Sequence, residues 1–420
     1  MKKIFLFAFL ICFIAMGFIS CSKENSIPSS NVSVNIKPAG MEFSTISNAF
    51  ITLKNLTTSE EKVVEKQGEI TNGNLNLDVI DGTYNIKIEA DIEYTQDGKN
   101  VKSKVRGNKE NVEIVGGSVN LDLKDILYIY QEDSPSGLVI AEIFFTGTKT
   151  PEGKQYNGDK YFKIYNNSSE VLYADGMAIA ETELMTVNGY KNYKEKTTGK
   201  DDRNVRTPIQ ALYRIPGNGT EHPIKPGEFL LIVDNGINHK VANSYSFDLS
   251  NADFEWYDES TNPNFLDIDS DVPNLDKIYC YTKTIWVTHN RGFCSYLLVN
   301  MGIEEKAHKA DFLQKNVYEY SYTYEWTGGS FEQNSSCYYV NNKDIVDAVN
   351  LSIESMFVSI NIDNSLDQGW TYCGKVDRDE SRYGKCVRRK TLGGKTLKDT
   401  NDSSVDFLAE QTADPTYSFR

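Results

Sequence analysis

Between Asn31 and Tyr130, apolar and polar residues alternate with a period of two, and this pattern most constrains what the chain can fold into. The longest run places Tyr84, Ile86, Ile88, Ala90, Ile92 and Tyr94 at every second position. Successive side chains of an extended chain point to opposite faces, so each such set lines one face of a half-buried strand. Shorter sets do the same: Val32, Val34 and Ile36; Ile51 and Leu53; Leu75, Leu77 and Val79; Val119, Leu121 and Leu123. Asn72-Gly73, Asp81-Gly82, Asp97-Gly98 and Gly116-Gly117 supply turn chemistry between them. About seven short strands in roughly a hundred residues predict a β-sandwich over 31–130. Residues 131–137 (QEDSPSG) then read as a polar linker into a second unit, 138–420.

The second unit is also β-rich. Its apolar segments are 138–145 (LVIAEIFF), 159–167 (DKYFKIYNN), 172–180 (LYADGMAIA), 212–217 (LYRIPG) and 224–233 (IKPGEFLLIV). Their order resembles the lamin-tail domain, an immunoglobulin-like β-sandwich, on Glu142, Asp159, Asn166, Asp175-Gly176 and Pro226-Gly227. The stretch 397–407 (LKDTNDSSVDF) resembles the closing segment of bacterial lamin-tail-like proteins. In the first unit, 77–90 (LDVIDGTYNIKIEA) resembles the last hairpin of transthyretin-like or carboxypeptidase-regulatory-like modules, which serve as spacers or adhesion units. These resemblances imply an all-β protein: a transthyretin/Ig-like β-sandwich, then a lamin-tail-like β-sandwich with long insertions at about 181–210 and 234–395. Each carried-over position has a structural explanation. Gly takes positive φ and Pro presets φ in turns, Asn166 can bond its own backbone, and Glu142 can bond a neighbouring loop.

At the N-terminus, Lys2 and Lys3 precede an almost unbroken apolar run, Ile4 to Ile19, and then Ser20-Cys21. A positive start, an apolar core and a small residue before the cut mark a secretory signal over 1–20. A single membrane anchor would need similar length. However, the polar stretch SKENSIPSSN follows Cys21 directly, with no positive stop-transfer cluster. Cys21 after Phe18-Ile19-Ser20 resembles the bacterial lipobox, which implies lipidation of Cys21 and a tether over 21–30. Several acyl chains hold a protein firmly on a membrane. The second half resembles an uncharacterised family of Bacteroidota-type lipoproteins linked to TonB-dependent receptors, siderophore receptors among them. That resemblance implies an outer-membrane lipoprotein, on the periplasmic face or the cell surface. Its expected partners are a TonB-dependent receptor and other surface lipoproteins.

Removal of residues 1–20 takes two lysines and leaves 42 basic against 59 acidic side chains, a formal charge of −17. Phosphate backbones are bound by Lys and Arg that release counterions, so a nucleic-acid partner is not expected. An acidic surface favours cations or cationic ligands, or simply keeps a protein in solution. The five cysteines after Cys21 include no C-x-x-C pair, which argues against a zinc knuckle or a thioredoxin motif. Disulfides Cys373–Cys386 and Cys280–Cys294 would each close a short loop, leaving Cys337 buried and single.

Four histidines, none in H-E-x-x-H spacing, and the lack of G-x-S-x-G give no enzyme class, so a non-enzymatic protein without a cofactor is expected. His289, close to Cys294, reads as a surface or hydrogen-bonded histidine rather than half of a Cys-His pair. Asp267, Asp269 and Asp271 alternate as in calcium loops, but Val272-Pro273 and Ile278 replace the glycine and the bidentate glutamate. A solvated acidic loop therefore explains them better than Ca2+. Tyr318, Tyr320, Tyr322, Tyr324 and Trp326 share one face of a strand. Such a face packs on a core or, where exposed, stacks on sugars or planar ligands. The functional expectation is a membrane-anchored binding or accessory protein, assisting TonB-dependent uptake such as iron–siderophore capture. A glycan-binding or adhesion lipoprotein, and a secreted hydrolase, are the alternatives.

Acyl labelling of the expressed chain checks the N-terminal assignment. Cys21→Ser is expected to abolish incorporation of labelled palmitate and to release the protein from the membrane fraction; labelling that survives the substitution contradicts it.

Overall fold

The computed structural model describes residues 28–37, 43–96, 99–123, 127–130, 137–304, 308–358 and 361–419. The signal segment, Cys21, most of the tether, the Asp97-Gly98 turn and residues 131–136 of the linker lie outside the described residues. Where described, the chain is nearly all β.

The first unit contains β1 (Ser29–Asn35), β2 (Phe43–Asn55), β3 (Glu61–Glu69), β4 (Asn74–Ile80), β5 (Gly82–Gln96), β6 (Lys99–Ile114), β7 (Ser118–Asp122) and β8 (Tyr128–Tyr130). They form two sheets, β4-β1-β7 and β3-β2-β5-β6-β8. The alternation sets the register. Val32 lies opposite Leu77 and Val119, while Ile51 and Leu53 lie opposite Ile88 and Ile86. All but Val119 are fully buried, in one cluster that draws on both sheets. Each such side chain stabilises the fold by about 1.5–3 kcal/mol.

The second unit begins with β9 (Leu138–Phe144), β10 (Tyr161–Asn166), β11 (Leu172–Tyr173), β12 (Met177–Thr182), β13 (Lys191–Glu195), β14 (Arg206–Arg214), β15 (Pro223–Ile224), β16 (Phe229–Val233) and β17 (Phe254–Glu255). It continues with β18 (Asp276–Cys280), β19 (Ser295–Asn300), helix α1 (Lys309–Lys315), β20 (Val317–Trp326), β21 (Gly329–Asn341) and β22 (Ile345–Ser352). The chain ends with β23 (Thr371–Tyr372), β24 (Lys385–Arg389), β25 (Thr391–Gly393), β26 (Thr396–Leu397), a short helix α2 (Ser403–Asp406) and β27 (Phe407–Thr412).

One sheet runs β17-β16-β10-β9-β24-β27; the other runs β13-β20-β21-β14-β12-β19-β22-β23, with β18 on β14. The shared core holds Ile140, Phe162 and Val387 of the first sheet against Ile179, Tyr213, Leu298 and Val349 of the second. The stretches expected as insertions, about 181–210 and 234–395, are not separate from this sandwich. They supply most of β14, all of β19 and β24, which pair directly with β12 or β9, and β22, which pairs with β19.

Glu142 of β9 is fully buried on the outer face of the six-stranded sheet. It lies opposite Lys163 of β10 and Arg388 of β24, so one register position carries a cation, an anion and a cation. The Arg388 guanidinium bonds Glu142, Tyr161 donates its hydroxyl to it, and Lys163 Nζ stands 3.7 Å away. Lys163 also donates to the carbonyls of Asp414 (2.8 Å) and Tyr417 (3.1 Å), among the rings of Tyr161, Phe229, Tyr417 and Phe419. The C-terminal segment is thereby strapped across the sheet. Burial lowers the Lys163 ammonium to about 8, against the pull of Glu142. The expectation for Glu142 was a loop partner; its partners are instead adjacent strands.

A second buried pair joins the two sheets. Asp347 of β22 accepts from Ile140 N (2.6 Å) and from Arg389 of β24 (2.7 Å), and Arg389 also bonds Asp399 (3.0 Å). The closing motif continues from there. Asp406 accepts from Thr400 N and Oγ1, Asp402 caps Ser404 N, and Ser403 donates to Asp367. Thr400 O accepts from Arg106 of the first unit.

Removing one partner of a buried ion pair strands the others, at a cost of about 3–5 kcal/mol. Glu142→Ala is expected to lose that much stability in denaturant unfolding; a loss below about 1 kcal/mol contradicts the role given to the triad.

Candidate functional site

The nine-stranded sheet extends past the sandwich through β13, β20 and β21. β20 and β21 form a hairpin that pairs from Val317 opposite Tyr338 to Trp326 opposite Gly329. Alternation puts Tyr318, Tyr320, Tyr322, Tyr324 and Trp326 on one face, with Cys337, Ser335, Gln333 and Phe331 beside them on β21. The five aromatics divide along the strand. Tyr318 and Tyr320 are buried, Tyr322 is half-buried, and Tyr324 and Trp326 are 46% and 51% exposed. Phe331 joins the exposed end at 48%, its ring 5.6 Å from Tyr324 and 5.8 Å from Trp326. Core packing thus holds for the base of the strand and an open aromatic surface for its tip.

The base is covered by residues the sequence did not single out. Tyr193 of β13 stacks on Tyr320 (5.4 Å), and Tyr190 meets Tyr322 edge-on (4.8 Å). Tyr193 donates to the Tyr318 hydroxyl (3.0 Å), which in turn donates to Asp202. Arg203 lies over Tyr193 (4.5 Å) and pairs with Asp201. Arg206 lies over Tyr318 and Tyr339 (5.3 and 4.9 Å) and bonds Asp202. Glu183, directly after β12, accepts from the Tyr320 hydroxyl (3.1 Å). Burial pushes its carboxyl up to about 7, partly offset by that hydrogen bond. The available signal was Tyr190-x-x-Tyr193 shortly after Glu183, but these residues fall in a loop and a five-residue strand and show no long alternation.

All five described cysteines are free thiols, so neither Cys373–Cys386 nor Cys280–Cys294 is bridged. Cys294 faces Glu181 and Tyr296, while Cys280 faces Tyr213 and Asp258. His289 accepts from Phe293 N (3.2 Å), and burial with Arg291 lowers its ring to about 4.

Asp267, Asp269 and Asp271 do not converge. Asp267 accepts from Asn235 and from the backbone of Asp258 and Ile268, Asp269 accepts from Asn274, and Asp271 is exposed. The group able to close on an ion among the described residues is Asp175, Glu221 and His222, with ligand atoms within 4.8 Å of one another. Asp175 is already engaged by the backbone N–H groups of Gly219, Glu221 and His222 (3.1, 2.9 and 2.9 Å). Those bonds outweigh burial and lower its carboxyl. At the next residue, Gly176 has φ +77° and a side chain there would meet the Gly302 carbonyl at 2.6 Å. Asp175-Gly176 is thus a turn clamp. A separate cleft of about 210 Å³ is lined by Glu354, Trp370, Thr371, Tyr372 and Phe407.

Fold and site together define an all-β protein of two β-sandwich units, the second bearing an aromatic sheet extension. Residues 225–414 match the model of a family described as protein of unknown function (DUF4876). That segment includes the aromatic hairpin but not Glu183. The crystal structure of a DUF4876 family protein from Bacteroides thetaiotaomicron is similar, with a TM-score of 0.53 and 21% identity. The likeness covers 91% of this chain and 96% of that one, and at this identity it shows the shared fold. No curated protein matches.

Free thiols give a direct check. A chain starting after Cys21, unfolded without reductant, is expected to show five groups reactive with Ellman's reagent; fewer would reveal a disulfide.

Proposed function

We propose that this is a non-enzymatic binding protein, tethered to the membrane at Cys21, that presents the aromatic tip of the β20–β21 hairpin to a ligand or partner. The supporting observation is the gradient along β20. The strand is fixed at its base by Tyr318 and Tyr320, while Tyr324, Trp326 and Phe331 stand in solvent at a cost a purely structural strand need not bear. Exposed aromatics rooted in a rigid sheet bind with little loss of conformational freedom. Among the described residues no helix is long and apolar enough to cross a membrane; the proposed tether, the lipid on Cys21, rests on the lipobox resemblance. The proposed setting rests on the lipoprotein resemblance: TonB-dependent uptake at the outer membrane, with iron–siderophore capture the specific form. Glycan binding is the second reading, because Tyr and Trp faces also stack on sugar rings.

Ligand capture by the purified protein, with ferric siderophores and glycans as probes, tests this proposal. Tyr324→Ala combined with Trp326→Ala is expected to abolish capture while changing stability by less than about 0.5 kcal/mol, as at exposed sites. Tyr318→Ala is expected to cost about 3–5 kcal/mol, the range for a buried aromatic. Capture that survives loss of the tip removes the aromatic surface as the binding element.

A further inference from the structure

The second unit repeats one construction: a carboxylate and one or more aromatic rings enclosing a cation. Glu142 and four rings surround Lys163. Asp201 and Tyr193 hold Arg203 (2.6 and 4.5 Å). Asp202, with Tyr318 and Tyr339, holds Arg206. Rings attract a cation through their negative faces, and the carboxylate neutralises it as water is removed.

Glu183 and its tyrosines have the same parts without the cation. Among the described residues its carboxyl accepts from the Tyr320 hydroxyl, and no Lys, Arg or His pairs with it. Around it stand Tyr190 from the loop before β13, Tyr320 and Tyr322 of β20, Cys337 of β21, Tyr279 of β18 and Tyr281 just beyond. All are neutral groups that burial holds in their protonated forms; the Glu183 charge is the next cause at Tyr320, Cys337 and Tyr279 and a lesser one at Tyr190, Tyr322 and Tyr281. Tyr190 and Tyr322 are only partly buried, and Tyr281 is 58% exposed, so the group is open to solvent. Tyr190 is also held in place, its hydroxyl accepting from Met185 N (2.7 Å).

We infer that Glu183, framed by Tyr190, Tyr320 and Tyr322, is a recognition site for an alkylammonium group of the bound ligand or partner. The inference rests on the aromatic extension being the binding surface and specifies the charge that surface takes. An acidic protein adds a long-range field of the matching sign. A cation seated here favours the ionised carboxylate and so draws the Glu183 proton off.

Titration of the purified full-length protein with tetramethylammonium, butylammonium and a lysine-containing peptide tests the site. Tetramethylammonium is charged at every pH, so its pH dependence reports Glu183 and not the probe. Saturable binding is expected, strengthening from pH 6 to pH 8 as Glu183 ionises through its value of about 7. Glu183→Gln is expected to weaken binding at least about tenfold with unchanged thermal stability and to flatten the pH profile. Peptide binding much tighter than butylammonium binding assigns the cation to a partner's lysine; the reverse assigns it to a small amine. Equal binding by wild type and Glu183→Gln, or no saturable binding of any probe, overturns the inference. If the Tyr324 and Trp326 substitutions still abolish ligand capture in that case, the binding surface stands and only its charge preference falls.

Discussion

The second unit depends on the Glu142 carboxylate. An ionised group buried at the centre of a sheet is tolerated only when every side of it is answered by charge or hydrogen bond. Here Lys163 and Arg388 answer it from the two neighbouring strands and Tyr161 from one of them. That fixes the order β10-β9-β24 and their register at once, because a shift by one residue would face each cation into the opposite core. It also fixes the chain end. Lys163 needs acceptors beyond Glu142, and the carbonyls of Asp414 and Tyr417 supply them, drawing Phe419 against Tyr165 and Phe229.

With β9 and β24 held, Arg389 reaches through to Asp347 and ties the second sheet to the first. Beyond β14 the second sheet then continues outward as β21, β20 and β13. Arg206 and Arg203, each between rings and a carboxylate, stiffen the base of that extension. What remains at the tip is aromatic, open and rigidly mounted. Toward the base of the extension sits Glu183, a carboxylate bonded by Tyr320 and paired with no cation among the described residues.

Much of this framework was legible in the sequence. The alternating sets of the first unit became its core, and the turn residues Asp175-Gly176 and Pro226-Gly227 became turns, for the steric reasons that name them. The closing 399–407 stretch became a knot of caps around Asp406. The long second half was harder. Segments such as Ser295–Asn300 are short apolar strands set among Asn, Asp and Gly, and without a partner in view they read as parts of large loops. Cysteine spacing suggested bridges, yet Cys294 and Cys280 point to different neighbours within the core. The alternate aspartates of 267–271 read as a solvated acidic loop rather than a calcium site, and two of them accept from nearby amide groups. Along β20 the sequence showed the face correctly and could not show where on the strand burial ends. Glu183, Tyr190 and Tyr193 were invisible because their meaning lies in contact with a hairpin more than a hundred residues away.

Hydrogen–deuterium exchange, read along the whole chain with and without bound ligand, measures the central claim directly. Strands β9, β10 and β24 are expected to exchange slowest, at the rate of global unfolding. Ligand is expected to add protection in 317–341 and around 183–195 alone. Protection confined to the Asp175–His222 turn or to the Trp370 cleft would contradict the account, as would a fast-exchanging β9.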